Sequence, residues 1–391
     1  MSKKRIENEI VNEPVFGGTP VAIAAEETQR TDFWWLVCCA VITILAFAIR
    51  FAKLDMRALH HDEGVNSFFL VTLFREGVYK YDPANYHGPD LYYLALGVTK
   101  IFGLNTYGIR GSVAAFGVLI VVLTFFLKNY IGKFGSLFAA LFLALSPGMV
   151  FISRYFIHEI LFVFFTYTIV LSILFFIERK KAGIFAVGWM VLILIVCFLP
   201  SVINLAKAMG GDSQLALWSL RAGFFLIEIA LIVFVMRMLL SWDDGRPIYL
   251  LLASASVVML FATKETAFIT IGTFGIACVC VAVWRKIYAG SIGKIGENDL
   301  EPVPLVWSSF ANKLGDKTNR ILLLVAVSAI FIYLGVLFFS SFYTYPEGVQ
   351  KAFEAYALWT KTGSKDHTQN GHWAYFKWMG KVESPIMLLS A

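Results

Sequence analysis

Charge is scarce in this sequence. Of 391 residues only 15% are Asp, Glu, Lys or Arg, against 58% hydrophobic and 16% aromatic; a soluble globular chain carries about 25% charge. The deficit is uneven. Long apolar runs alternate with short charged links, which excludes one large soluble core and is the pattern of membrane spans. Cysteine is scarce too, and its placement matters more than its number. Cys38, Cys39, Cys197, Cys278 and Cys280 all lie inside apolar runs. None has metal-ligand spacing to a histidine and none sits in a polar loop, so they read as small apolar residues of helices. The net charge of +6 is modest, and the basic residues flank apolar runs. They act as topology signals, and no nucleic-acid partner is expected. Also missing are any fixed-period repeat, any low-complexity tract and any cleavable signal peptide. Residues 1–32 are polar, carry Lys3, Lys4 and Arg5, and read as a cytoplasmic tail ahead of a first span that serves as its own insertion signal.

What is present is a series of spans. A crossing needs roughly 20 apolar residues, and about nine runs qualify: 33–51, 110–127, 134–150, 157–177, 183–206, 218–238, 248–262, 267–284 and 321–342. A further run begins near Pro385 and reaches only Ala391, so 382–391 reads as the start of a possible further span. Residues 91–102 are apolar but too short to cross and are interrupted by Lys100. They read as a helix in the interface, with Tyr92 and Tyr93 at headgroup level. With the N-terminus inside, the inner links hold Lys128, Lys133, Arg179, Lys180, Lys181, Arg237 and Arg246, and the long inner link 285–320 adds more. The short outer links hold few basic residues, as the positive-inside rule requires. The expected fold is therefore all-α: a polytopic transmembrane helical bundle over 33–391, with a large first outer loop (53–109) containing interfacial helices and a later outer loop (343–381). The expected location is the cell (cytoplasmic) membrane.

All six histidines fall on the outer side in this topology: His60, His61, His87, His158, His367 and His372. So do Asp62, Glu63, Glu159 and Glu265. Charge near a bilayer is costly and tends to line a wet cavity or pathway, so these residues are expected to meet in one outward-facing pocket. In His60-His61-Asp62-Glu63 a carboxylate suits a general base or a metal ligand beside a histidine; the plainer reading is a solvated loop with Asp62 capping the following helix. His87-Gly88-Pro89-Asp90-Leu91-Tyr92-Tyr93 turns at Gly-Pro into the interfacial helix, with Asp90 as its possible cap. In Ser153-Arg154-Tyr155-Phe156-Ile157-His158-Glu159, Arg154 offers forked donors suited to phosphate oxygens, and Glu159 is alternatively a helix-start acid favoured by the dipole. Lys264-Glu265 is either a neighbouring ion pair or a lysine at a cavity mouth holding phosphate.

At these residues the chain resembles the membrane glycosyltransferases of the GT-C fold, in the branch of protein O-mannosyltransferases and aminoarabinose transferases. It is most similar to a prokaryotic subgroup described as flippase-activity-associated and related to archaeal N-glycosylation. Asp62-Glu63 matches the family's acidic pair after the first span. His87 to Tyr93 matches, with departures, a His-Pro-Pro-Leu-Tyr-Tyr element, and Ser153-Arg154 with Glu159 matches the Ser-Arg element with its later acid. Lys264 is similar to a lysine near the donor phosphate, and Trp373 to Trp378 to an aromatic segment of the later outer loop.

The resemblance implies transfer of a sugar from a polyprenyl-phosphate-linked donor to a lipid, protein or glycan acceptor at the outer face. Asp62 would act on the acceptor with Glu63 positioning it. Arg154 and Lys264 would neutralise the leaving phosphate. Glu159 would orient Arg154 or help to hold a divalent cation (Mg or Mn), for which Asp62, His61 and Glu159 are the candidate ligands. His61, His87, Tyr92, His158 and Glu265 would line the pocket. The rival readings are a lipid-linked sugar flippase or transporter, and a non-catalytic accessory protein of a glycosylation pathway with partner membrane proteins.

Overall fold

A computed structural model describes residues 20–85, 87–178, 183–192, 209–210, 213–240, 246–292, 314, 317–363 and 373–384. Among them the regular structure is helical, joined by short turns and links, apart from one isolated bridge between His87 and Lys264. The helices are α1 (Pro20–Phe51), α2 (His61–Glu76), α3 (Asp90–Phe102), α4 (Thr106–Thr124), α5 (Lys128–Leu145), α6 (Pro147–Ser153) and α7 (Glu159–Ile177). They continue as α8 (Gln214–Leu240), α9 (Arg246–Thr263), α10 (Ala267–Ile292), α11 (Lys317–Phe339), α12 (Glu347–Gly363) and α13 (Ala374–Val382). Residues 184–192 are also helical.

Five segments are long and apolar enough to cross a bilayer: Asp32–Phe51, Thr106–Leu145, Glu159–Ile177, Ala267–Trp284 and Lys317–Phe339. The second holds two of the expected spans. A 3₁₀ turn at Phe125–Leu127 and a non-helical Gly132, with φ of 75°, split it into α4 and α5, which pack on each other as a hairpin. Apolar α9 and the first half of α8 are shorter. Of the expected span 183–206 only the first turns are described; His367, His372, Cys197, the run from Pro385 and most of the link 285–320 lie outside the described residues. α1 begins at Pro20, earlier than expected, although its apolar span starts at Asp32. The short helix expected in the interface is α3, thirteen residues long; at 1.5 Å per residue it reaches about 20 Å and cannot cross.

Side-chain contacts give the direction of each span. Lys133 pairs with Asp32 at 2.6 Å, and Arg50 donates to the carbonyls of Leu143 and Ala144 at 2.9 and 3.1 Å. So α1 and α5 run parallel. Tyr107 donates to the Phe51 carbonyl at 2.7 Å, which sets α4 antiparallel to them. Thr168 donates to Ser256 and Ser254 to the Val327 carbonyl, tying α7 to α9 and α9 to α11, while Lys264 just past α9 pairs with Glu159 at the head of α7, and the head of α3 meets Thr263 at the end of α9 and Ser341 just past α11. The C-terminal ends of α1, α5, α9 and α11 and the N-terminal ends of α4, α7 and α10 therefore lie at one end of the bundle, where α2, α3 and α12 cover them. α4 is the most enclosed span and α10 the most open. Phe33, Ile44, Ile276, Val279, Leu324 and Val325 point outward, the surface expected of helices solvated by lipid.

Candidate functional site

The covered end of the bundle is built on arginines that bind backbone carbonyls. A helix leaves its last carbonyls unpaired and partly negative. Arg50, wholly buried, caps α5 in this way. α4 comes close enough for this only because residue 117 is glycine: a Cβ there would stand 2.3 Å from Ser153 Cβ and 2.9 Å from Arg50 Nε. Arg154 caps α1, donating to the carbonyls of Ile49 (3.1 Å), Ala52 (2.7 Å) and Lys53 (3.2 Å). Arg110, at the head of α4, gives Nε and Nη2 to the two Glu63 carboxylate oxygens, each at 2.7 Å, and its remaining N–H groups to the carbonyls of Leu54, Arg57 and Ala58. All five guanidinium donors are used.

Glu63 is the centre of this end. Its side chain is 1% exposed. Besides Arg110 it accepts from the Phe156 N–H (3.0 Å) and the His60 N–H (3.0 Å), the second bond closing a capping box on α2. Burial alone would raise its carboxyl, but Arg110 and the two backbone N–H groups outweigh it and hold it below the ordinary value. The expectation that Glu63 positions Asp62 directly therefore gives way: its carboxylate is fully engaged by Arg110, Phe156 and His60. The helix cap is also made by residues 60 and 63, not by Asp62.

Phe156 is held by α2 on both backbone groups, since Asn66 Nδ2 donates to its carbonyl at 3.0 Å. Asn66 in turn accepts from the Tyr92 hydroxyl at 3.0 Å. This fixes Tyr155, one residue earlier, over the start of α2. Its hydroxyl donates to Asp62 Oδ2 at 3.1 Å and also meets His60 Nδ1. Asp62 is exposed, 60% for its side chain, with His60 Nδ1 3.9 Å from the same oxygen. Partial burial, then the hydrogen bond to Asp62, then the charges of Asp62, Glu63 and Glu159 raise the Tyr155 hydroxyl to about 12, so it stays a donor at neutral pH. Asp62, Glu63 and Glu159 thus all lie within electrostatic reach of one phenol.

Glu159 does not orient Arg154. It accepts from Lys264 Nζ at 2.9 Å, with both side chains partly exposed. The ion pair that Lys264 forms is thus with Glu159, 105 residues away, and not with its neighbour Glu265. Lys264 is placed by the bridge to His87 and by the Gly88 N–H donating to the Thr263 carbonyl at 3.0 Å. His87 packs on His158, ring centroids 4.6 Å apart, and His158 also meets the edge of Tyr92 and the Gly88 carbonyl. Burial, and then the neighbouring His87, push the His158 pKa well below the ordinary value, so it is neutral. Glu265 is buried and raised by that burial, and Tyr81 donates to it at 3.4 Å. Asp90 accepts from Thr263 at 2.7 Å, and burial lifts it to about 7; Pro89, not Asp90, stands at the cap position of α3.

The structure thus brings together Asp62 with Tyr155, Glu159 with Lys264, and His87 with His158 and Tyr92. His61 is exposed beside Asp62. Among the described residues no three His, Cys, Asp or Glu side chains form a metal-holding group, and Asp62, His61 and Glu159 do not do so. Tyr155 was not given a role by sequence reasoning, although it lies inside the Ser-Arg stretch, and His60 was read only as part of the His60–Glu63 motif. Nor was Arg110, which is an ordinary basic residue at a span boundary until its partners are known.

Two hollows adjoin these residues. A cavity of about 540 Å³ is lined by Lys53, Leu54, Met56, Arg57, Glu63, Arg110, Pro147, Val150, Phe151, Arg154 and Tyr155. An apolar groove of about 350 Å³ runs between α9, α11 and α12, past Val258, Phe331, Val336, Phe339 and Phe353 to Tyr356. It ends near Glu265, whose charge acts on Tyr356 and whose partner Tyr81 packs on Phe339 at 5.0 Å.

A family model described as dolichyl-phosphate-mannose-protein mannosyltransferase matches residues 83–194. The match takes in α3, the Arg154–Glu159 stretch and α7. Comparison with curated proteins gives no match. Among solved structures, the archaeal oligosaccharyltransferase AglB from Archaeoglobus fulgidus, in complex with an inhibitory peptide and a dolichol-phosphate, aligns over 92% of this chain. The identity is 15%, the TM-score 0.42, and the alignment covers 37% of the AglB chain, so this chain spans little more than a third of that protein's length.

Proposed function

We propose that the protein is a GT-C-type membrane glycosyltransferase that moves a sugar from a polyprenyl-phosphate-linked donor to an acceptor hydroxyl at the outer membrane face. The observation that carries this reading is the meeting, at one end of the bundle, of an exposed carboxylate from the first loop, a phenol from the α6–α7 link, an acid at the head of α7, and a lysine from the α9–α10 turn. The family match over residues 83–194 supports the same chemistry.

Each substrate has a fitting surface. The apolar groove suits an isoprenoid chain, whose phosphate then lies at the groove's end beside Lys264. A phosphate arriving there competes with Glu159 for the ammonium, which acts as a point charge. The acceptor hydroxyl approaches Asp62. Its proton passes to the Asp62 carboxylate as its oxygen bonds to the anomeric carbon. The bond from that carbon to the phosphate oxygen breaks, and the electron pair departs on the polyprenyl phosphate, whose added charge Lys264 offsets. Tyr155 is a positioning residue, holding one Asp62 oxygen so that the other faces the acceptor.

General-base help contributes a factor of roughly 100 to 10,000. Purified protein in lipid, given radiolabelled polyprenyl-phosphate sugar and a hydroxyl acceptor, should therefore lose transfer by about that factor in Asp62→Asn. The exposed site makes the substitution mild for folding, which thermal unfolding checks. Undiminished transfer by folded Asp62→Asn would reject the assignment.

A further inference from the structure

The cavity beside Tyr155 is more cationic than a reaction with one leaving phosphate requires. Four of its lining residues are cations: Lys53, Arg57, Arg110 and Arg154. Its one carboxylate, Glu63, is spent on Arg110, whose donors are all committed. Arg154 uses only part of its guanidinium on the end of α1. Lys53 and Arg57 are exposed, and among the described residues neither makes an ion pair. Arg57 instead lies over the Phe151 ring, 5.5 Å from its centroid, and Phe151 stacks on Tyr155 at 5.6 Å. Lys53 has a φ of 51°, just past the end of α1, where glycine is the usual residue. A lysine in that backbone conformation carries a steric cost that glycine would avoid, and such residues cluster at functional sites. Asp55 belongs to the same turn but does not line the cavity.

Lys264 and this cavity are separate positive centres linked through Tyr155, which lines the cavity, bonds Asp62 and lies in the field of Glu159, the partner of Lys264. The proposed reaction releases a single phosphate, which Lys264 at the groove's end receives. We propose that the cavity formed by Lys53, Arg57 and Arg154 holds a phosphate group carried by the acceptor. This rests on the transfer reading above and names its second substrate class: a phosphorylated acceptor whose hydroxyl is delivered to Asp62. Leu54, Met56, Pro147, Val150 and Phe151 supply an apolar wall beside the cations, so a phosphate borne by a lipid gains more here than a free one.

The test is direct binding to the full-length protein in detergent, independent of transfer. The probes are dioctanoyl phosphatidic acid, inorganic phosphate, dioctanoyl phosphatidylcholine and geranylgeranyl phosphate. Phosphatidic acid should bind saturably and weaken with salt, phosphatidylcholine should not bind, and Lys53→Gln/Arg57→Gln should weaken phosphatidic acid at least tenfold. Geranylgeranyl phosphate should lose affinity in Lys264→Gln and keep it in the double variant. Inorganic phosphate binding as tightly as phosphatidic acid would support the cavity with a soluble phosphorylated acceptor. Arg57→Glu alone should abolish phosphatidic acid binding, and thermal unfolding confirms that each variant is folded. Unaltered phosphatidic acid binding in the double variant would overturn the proposal. So would an equal loss of geranylgeranyl phosphate there, since the cavity would then be the donor's. A protein that binds as expected yet transfers no sugar would sink the transfer reading and leave the phosphate cavity standing.

Discussion

At the scale of single residues, adjacent acids do different work. Asp62 is exposed and free to meet a substrate, whereas Glu63 is a buried member of an ion pair with Arg110. Removing one partner of such a pair leaves a buried charge uncompensated and costs about 3–5 kcal/mol. Glu63→Ala should therefore lower thermal stability sharply, while Asp62→Ala should hardly change it. The pH dependence has a definite sign. A carboxyl held below its ordinary value contributes stability that is complete above that value and is lost as pH falls toward the native one. With the ordinary value at 4.5, the unfolding temperature should drop as pH is lowered below 4.5, and Glu63→Gln should flatten that drop. An unchanged acid profile in folded Glu63→Gln would show that the pair is not the source. Sequence reading named Asp62 and Glu63 together because they are adjacent and polar at a span's end. It gave Glu63 a role beside Asp62 but not its burial or its partners, because those lie in Arg110, 47 residues away, and in the backbone of Phe156. The cap that Arg154 places on α1 escaped for a related reason. Its partners are helix-terminal carbonyls, which have no side-chain signature.

At the scale of elements, the site depends on how closely the turn before α3 approaches the end of α9. Gly88 donates its N–H to the Thr263 carbonyl, and a Cβ on residue 88 would lie 1.8 Å from the Ala262 carbonyl oxygen. This accounts for the departure from the His-Pro-Pro element that the chain otherwise resembles. A proline at 88 has no N–H to give and would fill a space that the α9 backbone occupies. Gly88→Ala should force the turn away from α9, with the destabilisation of about 1–3 kcal/mol usual for overpacking. It should also displace Lys264 from Glu159, so that transfer falls more than the lost stability explains. A variant with wild-type unfolding temperature and transfer would mean that the approach is looser than the geometry indicates. The existence of α3, its position and its failure to cross were readable from its length and from Lys100. The bridge to Lys264 was not, because pairing between segments 177 residues apart leaves no local pattern. The same limit applies to α13. Its Trp373, Phe376 and Trp378 are exposed, and the sequence offered them only as an aromatic segment of the later outer loop. The carboxylate of Glu383, which accepts from Ser146 and the Gly148 N–H and ties that stretch to α6, appears only in three dimensions.

At the scale of the molecule, every argument about chemistry depends on sidedness. The relative directions of α1, α4, α5, α7, α9 and α11 agree with the span order read from the alternation of apolar runs and basic links. An antiparallel hairpin of α4 and α5 turns at residues 125–133, opposite the end that carries Asp62, Tyr155 and Lys264. A donor held in one leaflet by its isoprenoid chain can reach Asp62 only if α3 stays on that side. If α3 crossed, residues before and after it would lie on opposite faces of the bilayer, and α4 would have to enter from the wrong end. Single cysteines introduced at the exposed positions Asp82, Asn105, Asn129 and Thr344, in a background lacking the native cysteines, test this in intact cells with a membrane-impermeant maleimide. Asp82→Cys, Asn105→Cys and Thr344→Cys should label from outside, and Asn129→Cys only after permeabilisation. Labelling of Asp82→Cys and Asn105→Cys from opposite faces would divide the site between two compartments. Labelling of Asn129→Cys alone from outside would turn the molecule over and put the acceptor in the cytoplasm, although the contacts between Asp62, Tyr155, Glu159 and Lys264 would remain. The side chains set which groups meet; the basic links set which solution they face, and those two facts must agree before a lipid-linked sugar can be consumed here.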